Sequence, residues 1–352
     1  MNLMNKKFLL AFVKTVMPLL LGIYLIWVFF SDMAKDPKKL EAFYTAIYNA
    51  NYLWIILALI LGVIAYLARA FRWKYVLEPL GHKTNFWNRY HAVMIGYLVN
   101  LTIPRAGEAS RSAMLYRSDG IPFSSSFGTI IGERAVDLVV LILIAVLTAF
   151  IGFDDFFKIK SLIEIEFSGT TNGPEAGFPW RIAIYSIVLL MGIIFSYLFV
   201  FKNQFRQKFI RFAKEVFGGL LSIFKLKQPV AYLFQTALIW GCYVAMFALP
   251  FQALEQTSSI PFSGILLGFI AGSLGILFTN GGIGIYPLLV GLVVASLIGE
   301  EHPTDARAIG NALGMLIWIT QTLLMIVLGL ISLALLPKNF SKENEPTIQS
   351  GE

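Results

Sequence analysis

Arg105, Glu108 and Arg111 succeed one another at intervals of three, and Glu133, Arg134 and Asp137 follow as a second charged group, all set between or inside strongly apolar stretches. Guanidinium groups and carboxylates at this spacing support two kinds of chemistry. They can neutralise one another as a packing network, or the arginines can grip an anion, above all a phosphate, whose oxygens a guanidinium meets with paired hydrogen bonds. In the second case Glu108, Glu133 and Asp137 orient the arginines, receive a cationic headgroup or carry a proton. A helix starting after Pro104 places Arg105, Glu108 and Arg111 on one face as neighbouring ion pairs. Glu133 and Asp137, four apart, and Arg134, three before Asp137, charge one face near the start of the next helix.

Each such charge costs roughly 2.5–3.5 kcal/mol at the centre of a membrane helix on insertion scales, and the composition puts them at such depth. Hydrophobic residues make up 57% of the 352 and charged residues 14%, with mean hydropathy +0.71. A soluble chain has roughly 45–50% apolar and about 25% charged residues, so this one reads as an all-α, polytopic membrane protein. Stretches near 8–30, 52–70, 127–152, 181–201, 229–252 and 308–336 reach the length of about 20 residues that a bilayer requires. The first is longer than the apolar core of a signal peptide and no small-x-small cleavage site follows it, so it reads as a span. Two more stretches, 90–103 and 262–298, are apolar but broken, the first at Pro104 and the second at Asn280, Gly281, Gly282, Gly284 and Pro287. Broken backbone at membrane depth needs protein or a water-lined cavity around it, which makes both candidate re-entrant hairpins.

Cytoplasmic loops are enriched in Lys and Arg, and loop charge orients the chain. Segment 69–89 carries Arg69, Arg72, Lys74, Lys83 and Arg89 against Glu78, and 202–228 is equally basic, so both are assigned to the cytoplasm with the two termini. Segment 153–180, with Asp154, Asp155, Glu164, Glu166 and Glu175 against Lys158 and Lys160, reads as an external loop. Span, hairpin and span over 52–152 then return upside down over 229–336, a candidate inverted repeat of the kind that places a carrier's site near the midplane. Residues 1–340 form a single integral membrane domain and 341–352 a disordered cytoplasmic tail. Segment 202–228 reads as an interfacial helix whose basic residues over 205–227 meet anionic lipid, and 32–51 as an external interfacial helix.

Other chemistry finds little support. Cys242 is single and lies in a span, and His82, His91 and His302 have no ligand partners at useful spacing, so neither a disulfide nor a metal site is expected. Neither a Ser-His-Asp set nor a phosphate loop is present, and no cofactor is expected. The isoelectric point near 9.3 records the positive-inside rule rather than nucleic-acid binding. Gly281, Gly282 and Gly284 either expose backbone amides to an anionic headgroup or let two segments pack closely, and Tyr286 would add a hydroxyl to a cavity.

Asn100, Pro104, the Arg105-x-Gly107-Glu108-x-x-Arg111 string, Leu115 and Glu133-Arg134-x-x-Asp137 together resemble the signature of the flippase-like membrane family typified by the transmembrane domain of lysylphosphatidylglycerol synthases. The resemblance covers most of the chain. It implies a bacterial or archaeal cytoplasmic-membrane protein that moves a phospholipid headgroup between leaflets. The family's second motif is similar to Pro-Gly-Gly-x-Gly followed by an acid; here Asn280 stands before the glycines and Pro287 where the acid belongs. With the chain ending shortly after Pro337, no aminoacyl-transfer domain is expected, and lipid lysylation is not expected either.

The expectation is a lipid translocase, not an enzyme, moving a phospholipid or lipid-linked anionic amphiphile. Its site would comprise Asn100, Arg105, Glu108, Arg111, Glu133, Arg134 and Asp137, with Asn280, Gly281, Gly282, Gly284 and Tyr286 from the second hairpin. Two alternatives stay open: a lipid-modifying enzyme with Glu108 and Asp137 as base and acid, and a lipid-binding scaffold without a transport cycle. Homo-oligomerisation is open as well.

Overall fold

A computed structural model describes residues 34–103, 106–152, 226–299, 301–302 and 304–336, with short stretches among 16–31 and 197–210. The described residues fold as α-helices joined by short turns: α1 Pro37–Tyr48, α2 Tyr52–Leu77, α3 Phe86–Thr102, α4 Gly107–Asp119, α5 Phe123–Ile151, α6 Pro229–Ala248, α7 Phe262–Phe278, α8 Ile285–Ile298 and α9 Ala306–Leu335. The fold is all-α and polytopic, as the hydropathy predicts. Local chemistry sets the ends. Asn51 and Asn85 accept from the backbone of Leu53 and Trp87 at 3.1 and 2.8 Å to start α2 and α3. Gly120 closes α4 in the left-handed conformation, with φ 70°.

Lengths separate two kinds of helix. The stretches Tyr52–Leu80, Phe123–Ile151, Pro229–Gln252 and Ala306–Leu335 are long and apolar enough to cross a bilayer. Helices α4 and α8, at 13 and 14 residues, rise only about 20 Å, short of the roughly 30 Å hydrocarbon core. Each turns back against the helix before it, giving two re-entrant hairpins, α3–α4 and α7–α8. The order long, short, short, long thus occurs twice.

The packing follows that order. Helix α2 lies antiparallel against α6, α3 packs on α9, and α7 packs on α5, so each hairpin leans on the last long helix of the other half. The main core joins Ile55, Phe247, Phe251, Val290, Val294, Ile309, Leu313 and Leu316. A second core around Trp73, Leu77, Val93, Leu115 and Ile130 seats the first hairpin between α2 and α5. Ile56, Ile60, Leu143, Leu147, Leu323 and Val327 stay exposed, an outer surface suited to lipid rather than water.

Several boundaries shift from the sequence reading. The expected 52–70 span runs on to Leu77, because no helix breaker intervenes before Pro79 and Gly81. Arg69 and Arg72 are therefore not loop residues: they are 3% and 0% exposed inside the bundle. Arg89 is buried too, held by the carbonyls of Ala70 and Thr84. Within the expected 32–51 helix, α1 buries Phe43 and Ala46 and packs on α9. Of the 8–30 span, residues 16–17, 20–27 and 30 are described, and they are helical. The 153–180 loop, nearly all of the 181–201 span, most of the 202–228 helix and the 341–352 tail lie outside the described residues.

Candidate functional site

Three helices bring the charges together. Helix α2 carries Arg69 and Arg72, the latter five residues, or about 7.5 Å, before its end at Leu77; α5 presents Glu133 ten residues, or about 15 Å, after its start at Phe123. The two run antiparallel, so Arg69, Arg72 and Trp73 come opposite Asp137, Glu133 and Thr129 in turn. The first hairpin adds Glu108 and Arg111 from α4.

The contacts form one network. Asp137 takes Arg69 Nη2 at 2.7 Å on one oxygen and Arg72 Nη2 at 3.0 Å on the other. Glu133 sits between Arg111 Nη1 at 2.8 Å and Arg72 Nε at 3.5 Å. Arg134 Nε meets Glu108 at 3.1 Å, with Asp137 3.9 Å from its Nη1. The pairing expected within α4, between residues three apart, gives way to pairing across helices: Arg111 and Glu108 both reach α5. The network is dry except at one edge. Side chains of Arg69, Arg72, Arg111, Glu133 and Asp137 are 9% exposed or less, whereas Arg134 and Glu108 are 42% and 24% exposed.

Aromatic rings cover the flat faces of the buried guanidinium groups. Arg111 lies 3.7 Å from the Trp73 ring centre, Arg72 5.3 Å from that of Tyr232 and Arg69 6.0 Å from that of Tyr243. The Trp73 indole is itself fixed by donating to Thr129 Oγ1 at 2.9 Å, and Tyr243 shares a hydrogen bond with Tyr97 at 3.1 Å. With one ring against each guanidinium group and some edges in ion pairs, specific polar atoms remain. Arg69 Nε and Nη1, Arg72 Nε and Arg111 Nε and Nη2 are buried without a hydrogen-bond partner, as are both Glu133 oxygens, which Arg111 and Arg72 hold by ion pairing alone. Among the described residues four arginines face three carboxylates in this network, an excess of one positive charge.

Of the site residues expected from sequence, Glu108, Arg111, Glu133, Arg134 and Asp137 are thus brought together, and Arg105 lies outside the described residues. Asn100 closes the first hairpin, its Oδ1 accepting from Gly107 N at 2.7 Å. A Cβ on Gly107 would collide with the Gly96 carbonyl, so the glycine of the motif is there for backbone approach. Asn280 donates to Thr102 O at 3.2 Å, and Gly281 lies against Leu101, so the tips of the two hairpins touch. Gly281, Gly282 and Gly284 all have positive φ, and the Gly281 carbonyl accepts from Trp318 Nε1 at 2.8 Å. Tyr286 is buried with its ring against Gly272. Among the described residues no hydrogen bond or ion pair joins this second group to the charged one. No group of three His, Cys, Asp or Glu side chains among them could hold a metal ion.

The sequence reading missed Arg69 and Arg72, together with the rings of Trp73, Tyr232 and Tyr243. The signal was available in the three-residue spacing of two arginines on a stretch that keeps burying Ala65, Tyr66, Ala68, Ala70, Trp73 and Leu77.

Residues 15–303 match the family described as lysylphosphatidylglycerol synthase TM region. A 97-residue segment is 32% identical to a UPF0104 membrane protein of Methanocaldococcus jannaschii, covering 27% of this chain and 29% of that protein. No solved structure matches.

Proposed function

The chain belongs to the lysylphosphatidylglycerol synthase transmembrane-region family, and from that membership and the charged network we propose that it moves a phospholipid or lipid-linked phosphate between the leaflets of the cytoplasmic membrane. The observation that carries the reading is the pair of buried arginines, Arg69 and Arg111, with unpartnered N–H groups in a network of net positive charge. Leaving such donors dry and unpaired costs about 1–3 kcal/mol each, or more for charged groups. A phosphate entering past Arg134 would supply the missing acceptors.

Two features support transport over static binding. The two long-short-short-long halves, 52–152 and 229–336, pack crosswise with their first helices antiparallel, as an inverted repeat requires, and their broken segments meet tip to tip, where such carriers place their moving parts. The end bearing the network carries Lys74, Lys83, Arg117 and Lys227 against Glu78 and Asp119, a basic balance that supports a cytoplasmic orientation for that end.

The test is transbilayer movement of acyl-chain-labelled phospholipids in proteoliposomes, native protein against Arg134→Gln at equal folded incorporation. Movement above that of empty vesicles, lost in the variant, is the expected result. No movement of any headgroup would overturn the transport reading and leave the cluster as a structural ion-pair network.

A further inference from the structure

The network also restricts which headgroup it can accept. An amine-bearing headgroup, whether ethanolamine, choline or an aminoacyl ester, is held in proteins by free carboxylates or by the open faces of aromatic rings. Here the two buried carboxylates are engaged by arginines, and so is one face of each ring beside them. Asp137 is in contact with three guanidinium groups, from Arg69, Arg72 and Arg134, and Glu133 with two, from Arg72 and Arg111. The Trp73, Tyr232 and Tyr243 rings each lie against one guanidinium group, of Arg111, Arg72 and Arg69. What the network offers a newcomer is N–H edges: Nε and Nη1 of Arg69, Nε and Nη2 of Arg111, and the half-exposed Arg134.

Glu108 is the exception, and it defines the mechanism. It has a single partner in the network, Arg134 at 3.1 Å, and the pair stands where the network is exposed. A carboxylate on the one accessible arginine occupies the place that an incoming phosphate needs.

Resting on the transport reading above, we infer that the substrate is a net-anionic phosphate headgroup without an amine, such as a glycerol or sugar phosphate carried on a lipid, and that Glu108 is a resident competitor for its anion. The phosphate displaces Glu108 from Arg134, then reaches the free edges of Arg111 and Arg69. A zwitterionic headgroup requires the opposite role of Glu108, as the group that receives the ammonium.

The two roles give opposite results on one substitution. In phosphatidylcholine vesicles holding trace acyl-labelled phosphatidylglycerol or phosphatidylethanolamine, the native protein moves phosphatidylglycerol faster by at least about tenfold, equivalent to about 1.4 kcal/mol of discrimination. Glu108→Gln increases phosphatidylglycerol movement at low lipid fraction by lowering the lipid concentration for half-maximal rate. Equal movement of both lipids, or a half-maximal concentration for phosphatidylglycerol that is unchanged or raised in Glu108→Gln, overturns the inference while leaving lipid transport in place. Vesicles loaded with glycerol phosphate form the third arm. Its retention is expected, and its protein-dependent release would assign the site to soluble phosphate esters instead. Glu108 and Arg134 are both partly exposed, so the fold does not depend on their pairing.

Discussion

The two re-entrant hairpins share a shape and differ in what holds them. The first, α3–α4, adds charge to its apolar core: Arg111 and Glu108 reach α5 through Glu133 and Arg134, and α2 completes the network. The second, α7–α8, is seated by absence of side chain. A Cβ on Gly310 would collide with the Gly291 carbonyl, one on Gly314 with the Pro287 carbonyl, and one on Gly272 with the Tyr286 ring, which is the close small-residue packing by which membrane helices associate. Backbone contact of this kind has one arrangement and nothing to exchange. Ion pairs can exchange partners, and an anion from outside is one such partner. On the proposed function, ligand response falls to the first half and framework to the second, even though the element order is the same.

The largest expected effect comes from the centre of the charged half. Asp137→Asn removes the carboxylate that faces both Arg69 and Arg72 and leaves two guanidinium groups buried with less compensation. Breaking a buried pair in this way costs about 3–5 kcal/mol, to be read as lost thermal stability of the detergent-solubilised protein, beyond any loss of transport. If Asp137→Asn unfolds at the native temperature, the network is not a structural element. Next comes the glycine-packed half: Gly310→Val forces α8 and α9 apart, an overpacking cost of about 1–3 kcal/mol, occasionally more. Adding anionic lipid should recover none of the Gly310→Val loss, and recovery would show that the two halves are not distinct.

The same contrast explains what could be read from sequence. Long apolar runs and their interruptions are properties of single segments, so the four long helices and the break at Asn280–Gly284 were legible from composition alone. Glu108, Arg111, Glu133, Arg134 and Asp137 were legible as a group because charge inside an apolar stretch needs an explanation whatever it touches. Who pairs with whom was not, because that depends on which helices become neighbours. Arg69 and Arg72 fell near the end of an apolar run, where a loop arginine and a buried one look alike until Asp137 and Glu133 are seen opposite them. Counting them, with Arg89, as cytoplasmic charge overstated that loop, since Lys74 and Lys83 are the cations left in 69–89. Asn100 belonged to the motif for a reason the motif does not display: it ties the first hairpin at Gly107.

That tie supplies a smaller prediction. Asn100→Ala removes the acceptor of the Gly107 N–H where the two arms meet, a cost of about 1 kcal/mol for the lost bond, seen as faster hydrogen exchange across 100–108. Asn280→Ala removes the bond to Thr102 O across the tips, and exchange should then rise on both hairpins. A change confined to the second would mean that the tips do not support each other.

The smallest stability effect belongs to the residue with the largest proposed influence on substrate. Glu108→Gln breaks an ion pair whose partners are 24% and 42% exposed, where water screens most of the attraction and such pairs contribute about 0–1 kcal/mol. Arg134 also keeps Asp137 within 3.9 Å, so the variant does not strand it. The melting temperature of Glu108→Gln should therefore stay close to that of the native protein at low and high salt, while that of Asp137→Asn falls. A large loss in Glu108→Gln would place this pair among the structural contacts of the buried network, and the distinction between a fixed interior and an exchangeable edge would fail.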